Sequence, residues 1–454
     1  MRKSNRTRTR LALVLVQLVI VGNLGAQISS AGPAVVPRPE HIDIGVRATQ
    51  LPSSSYCVAN YGVQCLTPAM LANAYNLNAL HGSGIDGTGK TIVIVDSFGS
   101  PTIAKDLHVF DQTFGLPDPP SLTIIQPSGA VPPFDPTNST MQSWGVEASL
   151  DVQYAHAFAP GADIILVETP VAETEGVTGF PEMIHGENYV IDHDMADVIS
   201  QSFAATEETF PNNDAIYDLR SAYKKAADRK VTVLAGAGDW GATGYELNGV
   251  DYYPYRVIAW PASDPLVTAV GGTVLTLDDE GNRLAPDAVW NDYGATGGGV
   301  SAVFRRPDFQ DRVKDVVGRR RGIPDISMNG ACLSPVWVYW SFPPLPPGFG
   351  LICGTSEATP EFAGIVAMAD QAAGRRLGHL GHALYRLRKH SIVDITSGNN
   401  TFGPFTNSNG QTYTVIGYEA GPGYDLASGV GTLDGEKFVR ALARGDDGDD
   451  GGEE

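Results

Sequence analysis

The chain has 454 residues, of which 43% are hydrophobic and 18% charged, and its 52 glycines and 31 prolines indicate many loops. This composition predicts a globular protein, organised as one large domain with small appendages. The formal net charge of −20 argues against a nucleic-acid partner, because the phosphates would be repelled.

The N-terminus has the three parts of a secretory signal peptide: a basic segment, a short apolar core and a small-residue end. They are five basic residues within 2–10, the apolar run Leu11–Val21, and small residues ending at Ala26 or Ala31. We predict a signal peptide over residues 1–26, cleaved near 26 or 31, and a secreted, extracellular protein with no stable membrane insertion after its removal. A membrane anchor is the alternative, but the apolar run is shorter than the roughly 20 residues that span a bilayer.

The four cysteines form two close pairs in the sequence, Cys57 with Cys65 and Cys332 with Cys353. A secreted chain is expected to oxidise them, and of the three possible pairings we predict the local one. Closing the longer loop would contribute about 3 kcal/mol to stability. A zinc site is the competing interpretation, but no Cys-x-x-Cys or His-x-x-x-His spacing supports it.

Strand-like apolar runs alternate with helical segments along the chain. They are "TIVIVDSFGS", helical "LHVFDQTFGL", the strand-like "ADIILVET" and "ADVISQSF", the amphipathic helix "IYDLRSAYKKAADRK" and the strand-like "VTVLAGAGD". This alternation predicts an α/β fold with a mostly parallel central sheet and helices on both faces. Function in such sheets collects at the carboxyl ends of strands. Asp96, Ser202 and Asp239 fall at such ends, together with the loop before Ser356.

The segment "ICGTSEATPEF" places Ser356 two residues after a glycine and four before a proline, at the predicted start of a helix. Subtilisin-like folds present their nucleophile in this way, beside a histidine that acts as base. None of the nine histidines stands in a His-Gly-Thr motif that opens a helix. His81 precedes the Asp96 strand, which is the wrong chain order, and His156 is expected to be a packed surface residue. A Ser-His-Asp hydrolase that uses Asp96 is therefore the weakest alternative.

Two carboxyl groups, Glu147 and Asp151, are four residues apart in "QSWGVEASLDVQYAHAF". On a helix this spacing places both side chains on one face. One interpretation is that both face water. The surrounding residues are so apolar, however, that the helix is expected to be buried, and a buried carboxyl pair shares a proton as acid–base catalysts often do.

Three motifs, "GVEASLD", "LAGAGDWG" and "CGTSEATPEFAGIVA", together resemble the sedolisins. These serine-carboxyl peptidases keep the subtilisin fold and replace its histidine by glutamate. Further matches in family order are "LTPAMLANAYNL", "AVGGTVLTL", "VWNDYGATGGGVSAVFRRPDFQ", and "DITSGNN" with "AGPGYDLASGVG". The resemblance implies a peptidase domain over residues 61–440, between a short segment at 27–60 and an acidic disordered tail at 441–454.

The resemblance implies a role for each of four residues. Ser356 would be the nucleophile, Glu147 its general base, Asp151 the group that orients Glu147, and Asp239 the oxyanion-hole residue. A serine hydroxyl needs an adjacent base, and a carboxylate can serve if a neighbour holds it in place. Asp239 must be protonated to donate a hydrogen bond to the oxyanion, beside the backbone N–H of Ser356. A neutral Asp is maintained most easily at low pH.

The segment "ISQSFAA" resembles the family's Ser-x-Ser-aromatic-Gly strand end, which pairs with an extended peptide. Ser202 and Phe203 are therefore predicted to line the substrate cleft. Ala204 stands where the family usually has glycine, so the approach of the backbone is expected to differ there.

The C-terminal part matches the family's calcium loop. The matched residues are Asp394, Ile395 and, in "GPGYD", Gly421, Gly423 and Asp425. The two aspartates would supply carboxylates to one Ca²⁺ ion, and the other three residues would supply backbone carbonyls. An ordinary glycine-rich turn is the alternative.

Three departures from the family pattern stand out. Cys353 precedes Gly354, Glu357 adds a carboxyl beside Ser356, and the segment at 27–60 is shorter than the usual propeptide. The resulting hypothesis is a secreted, monomeric endopeptidase that acts on proteins or peptides in acid. A catalytically silent relative that binds peptides is the alternative, and removal of tripeptides from N-termini stays open beside internal cleavage.

Overall fold

The structure is a computed structural model, which describes residues 39, 41–387 and 391–445. The predicted signal peptide at 1–26 and the acidic residues from 446 onward lie outside the described residues.

The strands are numbered in chain order. The first ten are β1 (Ile42–Ala48), β2 (Thr91–Ser97), β3 (Leu122–Ile125), β4 (Asp163–Thr169), β5 (Val198–Gln201), β6 (Ala205–Thr206), β7 (Thr232–Gly236), β8 (Ala259–Trp260), β9 (Thr268–Val274) and β10 (Ala288–Val289). The later ones are β11 (Gly299–Arg305), β12 (Arg320–Ile323), β13 (Ile326–Asn329), β14 (Val336–Trp340), β15 (Gly348–Cys353), β16 (Ile392–Val393), β17 (Phe402–Thr406), β18 (Thr412–Val415) and β19 (Thr432–Leu433).

The helices are numbered in the same way. They are α1 (Ser54–Tyr61), α2 (Pro68–Ala74), α3 (Asn78–Gly82), α4 (Ile103–Phe114), α5 (Ser139–Phe158), α6 (Phe180–Asp192), α7 (Asn213–Leu219), α8 (Ser221–Arg229), α9 (Lys314–Val317), α10 (Thr355–Ala373), α11 (Gly381–Leu384) and α12 (Gly435–Arg444). Among the described residues, no helix combines the length and the apolar character needed to cross a membrane.

Eight strands form the central sheet, in the order β10-β9-β7-β5-β2-β4-β3, with β13 also beside β9. Every neighbouring pair is parallel except β9 with β10. Four of these strands, β2, β4, β5 and β7, coincide with the predicted apolar runs. The mostly parallel α/β sheet is therefore confirmed.

The amphipathic segment before β7 is two helices, α7 and α8, where the sequence predicted one. Arg220 separates them, because its ψ of 8° departs from helical geometry. Its guanidinium binds the carboxylate of Asp264 through two hydrogen bonds of 2.5 and 2.8 Å. This ion pair lies at the break between the two helices.

Alternate side chains of β2 face opposite sides of the sheet. Ile92 and Ile94 belong to the core formed with α5 and α10, whereas Val93 and Val95 belong to the core formed with α6 and α8. Helices therefore cover both sides, which explains why the strand is apolar at every position of the run. Asp96 follows the parity of Ile94 and faces the side of α5 and α10.

The strand β1 belongs to a second, three-stranded sheet, in which it pairs antiparallel with β15 and β15 pairs antiparallel with β14. The disulfides Cys57–Cys65 and Cys332–Cys353 confirm the predicted local pairing. The second disulfide anchors the end of β15, which leads directly into α10 and the predicted nucleophile.

Candidate active site

Helix α5 carries the predicted acid–base pair in its buried middle. Asn138 caps its first turn, because its side chain accepts hydrogen bonds from the backbone N–H groups of Thr140 and Met141. Glu147 and Asp151 lie one turn apart, and neither is exposed. Burial, which the apolar surroundings predicted, makes two negative charges on this face unfavourable.

Asp96, at the end of β2, adds a third carboxyl to the pair. Among the described residues, both oxygens of Asp96 lack a hydrogen-bond partner, as do Glu147 Oε1 and Asp151 Oδ2. Burial raises the pKa of Asp96 well above its usual range, and the charges of Glu147 and Glu168 raise it further. Burial also raises the pKa of Asp151 well above its usual range, aided by the charges of Asp96 and Glu147. Asp96 and Asp151 therefore hold protons at a pH where ordinary carboxyls have lost them.

Ser202 and Phe203, the predicted substrate-binding residues, lie directly after β5. Ser202 Oγ donates a hydrogen bond of 2.9 Å to Asp151 Oδ1, which opposes the rise in the pKa of Asp151. The Phe203 ring is buried against Phe180, with 5.9 Å between the ring centroids. Ser202 thus contacts the acid–base pair, and Phe203 turns its ring into the core. The substrate-binding roles of both residues stay predictions.

Ser356 lies in the first turn of α10, where it is fully buried. The chain enters this helix through Gly354, whose φ of 135° would be strained for any residue with a side chain. Further along α10, Glu361 lies near Tyr154 of α5 and Gly364 lies against Phe158 of α5. The two helices therefore run in the same direction, and the turn that holds Ser356 lies towards the part of α5 with Glu147 and Asp151.

Asp239, three residues after β7, contacts the residue before the nucleophile. Its Oδ1 accepts hydrogen bonds from the backbone N–H of Thr355 at 2.7 Å and from Thr355 Oγ1 at 2.9 Å. Thr355 Oγ1 in turn accepts a hydrogen bond of 3.2 Å from the backbone N–H of Gly238. The predicted oxyanion residue is thus tied to the first turn of α10.

A pocket opens beside Asp239. Ala204 lines it, together with Glu175, Thr206 and Tyr245. Glu175 Oε2 accepts a hydrogen bond of 2.9 Å from the backbone N–H of Thr206. Ala204, which stands where the family usually has glycine, is thus part of the lining of this pocket.

The segment around β1 brings His41 to the site, a residue that the sequence did not predict there. His41 Nδ1 and Glu147 Oε2 are joined by a hydrogen bond, and the imidazole is only 6% exposed. The alternation of Ile42, Ile44 and Val46 signals a strand in the sequence. It does not signal which strand is the partner, and so it could not place His41.

The same segment connects three parts of the site. Pro39 forms an antiparallel bridge with Phe203, and Ile42 lies opposite Cys353 in the register of β1 with β15. Residues 39 and 41–48 therefore pass from the end of β5, over Glu147, to the strand that leads into Ser356.

The two histidines considered from the sequence lie away from Ser356. His81 Nε2 contacts the carbonyl oxygen of Phe158 at 3.0 Å. His156 Nε2 contacts the carbonyl oxygen of Pro117 at 2.7 Å and is fully buried, so the expected surface position was wrong. Helix α5 is buried nearly all round, which explains the difference. Burial lowers the pKa of His156 to about 4.

The predicted calcium loop brings two carboxylates to one short segment. The backbone N–H of Gly423 donates a 2.9 Å hydrogen bond to Asp394 Oδ2, and that of Gly421 donates one of 2.9 Å to Asp425 Oδ2. Ile395 is buried. Within the described part of the chain, no group of three or more His, Cys, Asp or Glu side chains forms a metal site. The donor set fits calcium only if backbone carbonyls complete it, as Ca²⁺ sites in loops allow.

The chain is similar in sequence to several known proteins. No family model matched. The chain is 30% identical over 385 residues to kumamolisin of Bacillus sp. (strain MN-32), 29% over 360 residues to sedolisin of Pseudomonas sp. (strain 101), and 29% over 318 residues to tripeptidyl-peptidase 1 of Homo sapiens. These alignments cover 83%, 76% and 66% of this chain. The chain spans 63%, 56% and 52% of the lengths of these relatives.

The fold also matches that of a solved structure. Pseudomonas sedolisin, a serine-carboxyl proteinase complexed with two molecules of pseudo-iodotyrostatin, matches with a TM-score of 0.69 at 26% identity. The match covers 85% of this chain and 99% of that one, so the fold is subtilisin-like, as predicted. By sequence and by fold, the chain belongs to the sedolisin family.

Proposed function

We propose that this chain is a serine peptidase that hydrolyses peptide bonds in acid through Ser356, Glu147 and Asp151, with Asp239 as oxyanion-hole donor. One observation carries the proposal: the buried carboxyls of α5 lie towards the first turn of α10, while Asp239 binds the adjacent Thr355. Membership of a peptidase family supports it, and so do four catalytic positions occupied by the required residue types.

The proton path follows from this arrangement. Ser356 Oγ attacks the carbonyl carbon of the scissile bond, and its proton passes to the carboxylate of Glu147. Asp151, protonated and held by Ser202, orients Glu147. The oxyanion accepts hydrogen bonds from the protonated carboxyl of Asp239 and the backbone N–H of Ser356. Glu147 then donates its proton to the leaving nitrogen, and water releases the acyl group by the same route.

Substrate entry requires a rearrangement of the N-terminal segment. Glu147 Oε2 is hydrogen-bonded to His41. Pro39 forms a β-bridge with Phe203, at the strand end where an extended peptide is predicted to pair. A substrate must therefore displace this segment before it can reach Ser356. The substrates proposed are proteins or peptides, cleaved within the chain; removal of N-terminal tripeptides is the competing mode.

One experiment tests the activity, the mechanism and the mode together. An unfolded protein is digested across a range of pH by the parent and by Ser356→Ala and Glu147→Gln, and the products are identified by mass spectrometry. Internal fragments formed in acid by the parent alone support the proposal, and tripeptides alone indicate the competing mode. Activity that peaks above pH 7 and survives Glu147→Gln would refute the carboxyl mechanism.

We further propose that the protein is secreted as a monomer and binds one Ca²⁺ ion through Asp394, Asp425 and the carbonyls of Ile395, Gly421 and Gly423. The signal-like N-terminus supports secretion. The hydrogen bonds from the N–H groups of Gly421 and Gly423 to the two aspartates support the calcium site. N-terminal sequencing of exported protein tests secretion, and light scattering tests the monomer. Retention of Met1 in a membrane fraction would contradict secretion.

A further inference from the structure

Two carboxyls that the proposed mechanism does not use are buried directly behind the nucleophile. Glu357 and Glu361 lie one turn apart on α10, and neither is exposed. Within the described part of the chain, Glu357 Oε2 and both carboxyl oxygens of Glu361 have no hydrogen-bond partner. Ionising either group in this position is strongly unfavourable, because three of the four carboxyl oxygens have no hydrogen bond to replace the lost water.

The groups that face the pair are uncharged. Asn329, at the end of β13, donates from Nδ2 to Glu357 Oε1. The hydroxyl of Tyr154, on α5, faces both carboxyls and donates a 2.9 Å hydrogen bond to the carbonyl of Trp337. The hydroxyl of Tyr75, after α2, faces Glu361 and accepts a 2.6 Å hydrogen bond from the backbone N–H of Asn329.

The nearest charges are already paired or point outward. Arg283 lies over the ring of Tyr75 and forms an ion pair of 2.8 Å with Asp287. Helix α12 packs against α10, but its charged side chains are exposed or half-buried. Among the described residues, therefore, no cation contacts the pair.

We propose that Glu357 and Glu361 make the packing of the nucleophile's helix conditional on acid, because the first turns of α10 keep their buried position only while the pair stays protonated. The pair lies between Ser356 and the contact of Gly364 with α5, so its ionisation would loosen α10 where the nucleophile is held. This inference concerns stability and does not depend on the proposed catalytic roles.

The direction of the pH dependence follows from linkage. Burial raises the pKa of both carboxyls well above the usual range, and the charge of Glu357 raises that of Glu361 further. At pH values above the ordinary carboxyl range, the unfolded chain has released protons that the folded chain retains. Stability is therefore full below that range and falls as the pH rises through it towards the raised pKa values.

The test measures Tm between pH 3.5 and 7.5 in the full chain carrying Ser356→Ala, which cannot digest itself if Ser356 is the nucleophile. We compare this parent with Glu361→Leu, with the more conservative Glu361→Gln, and with the matched control Glu436→Gln, a half-buried carboxyl on α12. Between pH 4 and pH 7, the Tm of Glu361→Leu should rise by about 5 °C relative to that of the parent. The variant lacks one of the two carboxyls that retain a proton only in the folded chain. Glu361→Gln should flatten the pH dependence in the same direction, and the control should leave it unchanged.

Hydrogen exchange of residues 356–364 supplies the local measurement. Protection of these amides should fall between pH 4 and pH 7 in the parent and fall less in Glu361→Leu, in which only Glu357 of the pair can still ionise. If the Tm of Glu361→Leu and Glu361→Gln parallels that of the parent at every pH, or if the protection of α10 is equal at both pH values in the parent, the inference is wrong.

Discussion

The imidazole of His41 and the carboxyl of Glu147 are joined by a hydrogen bond, although 106 residues separate them in the sequence. The pairing of β1 with β15 brings them together, because it places the residue after His41 opposite Cys353. The side chain proposed as the base is thus engaged by the protein's own N-terminal segment.

The first prediction follows from this contact. His41→Ala should raise the initial rate of peptide hydrolysis by about tenfold, because a hydrogen bond to a charged group, worth about 1.5–3 kcal/mol, no longer holds the segment over Glu147. The rate is measured on an unfolded protein in acid. His81→Ala, whose imidazole donates one hydrogen bond to the carbonyl oxygen of Phe158 away from Ser356, serves as control. An unchanged or lower rate in His41→Ala would show that the segment does not limit access.

The second prediction concerns the hydroxyl that holds Asp151. Ser202→Ala should lower kcat by about tenfold, the equivalent of one lost hydrogen bond. It should also move the alkaline limb of the pH–rate profile upward, because the lost hydrogen bond had lowered the pKa of Asp151. Ser202→Thr keeps the hydroxyl and should behave like the parent. A change in KM alone would instead indicate a role in substrate binding.

The third prediction separates the two functions of the Asp239 carboxyl. Asp239→Ala should lower kcat by about 10²- to 10³-fold, because a donor to the oxyanion is lost. Asp239→Asn keeps a donor at every pH and an oxygen for the N–H of Thr355, so its loss should be smaller. Its rate should also decline less as the pH rises towards 7. Equal losses in both variants at all pH values would argue against Asp239 as the donor.

The fourth prediction concerns calcium. A chelator should lower Tm by several degrees, since an ion at about a hundred times its Kd stabilises the folded state by about 2.7 kcal/mol. Asp394→Asn should abolish this sensitivity, because it removes a charge and keeps an acceptor for the N–H of Gly423. Asp425→Ala should abolish it too, with a lower Tm even without calcium, because Asp425 Oδ1 also accepts the backbone N–H of Ser428 at 2.8 Å. Tm values that do not respond to chelator would exclude the site.

Local patterns predicted much of the fold and part of the site. The apolar runs of β2, β4, β5 and β7 identified the parallel sheet because strands buried on both faces lack polar alternation. The four-residue spacing of Glu147 and Asp151, in apolar surroundings, predicted a buried pair. These features depend only on residues that are close together in the chain, so local sequence patterns predict them.

The remaining features depend on which segments meet. The sequence predicts Asp96 at a strand end, but its position near the α5 carboxyls depends on which helix covers that side of β2. His41 required the pairing of β1 with β15, more than three hundred residues away. Neither relation leaves a periodic signal in the chain, which is why both were missed.

The strand β15 has a neighbour on each side, β1 and β14. If β1 were displaced or removed by proteolysis, the outer backbone N–H and C=O groups of Gly348–Cys353 would become an open edge. Such an edge accepts an extended peptide through main-chain hydrogen bonds, whatever the side chains of that peptide are. The strand that leads into the nucleophile could then form main-chain hydrogen bonds with an incoming polypeptide or with the same edge of a second molecule.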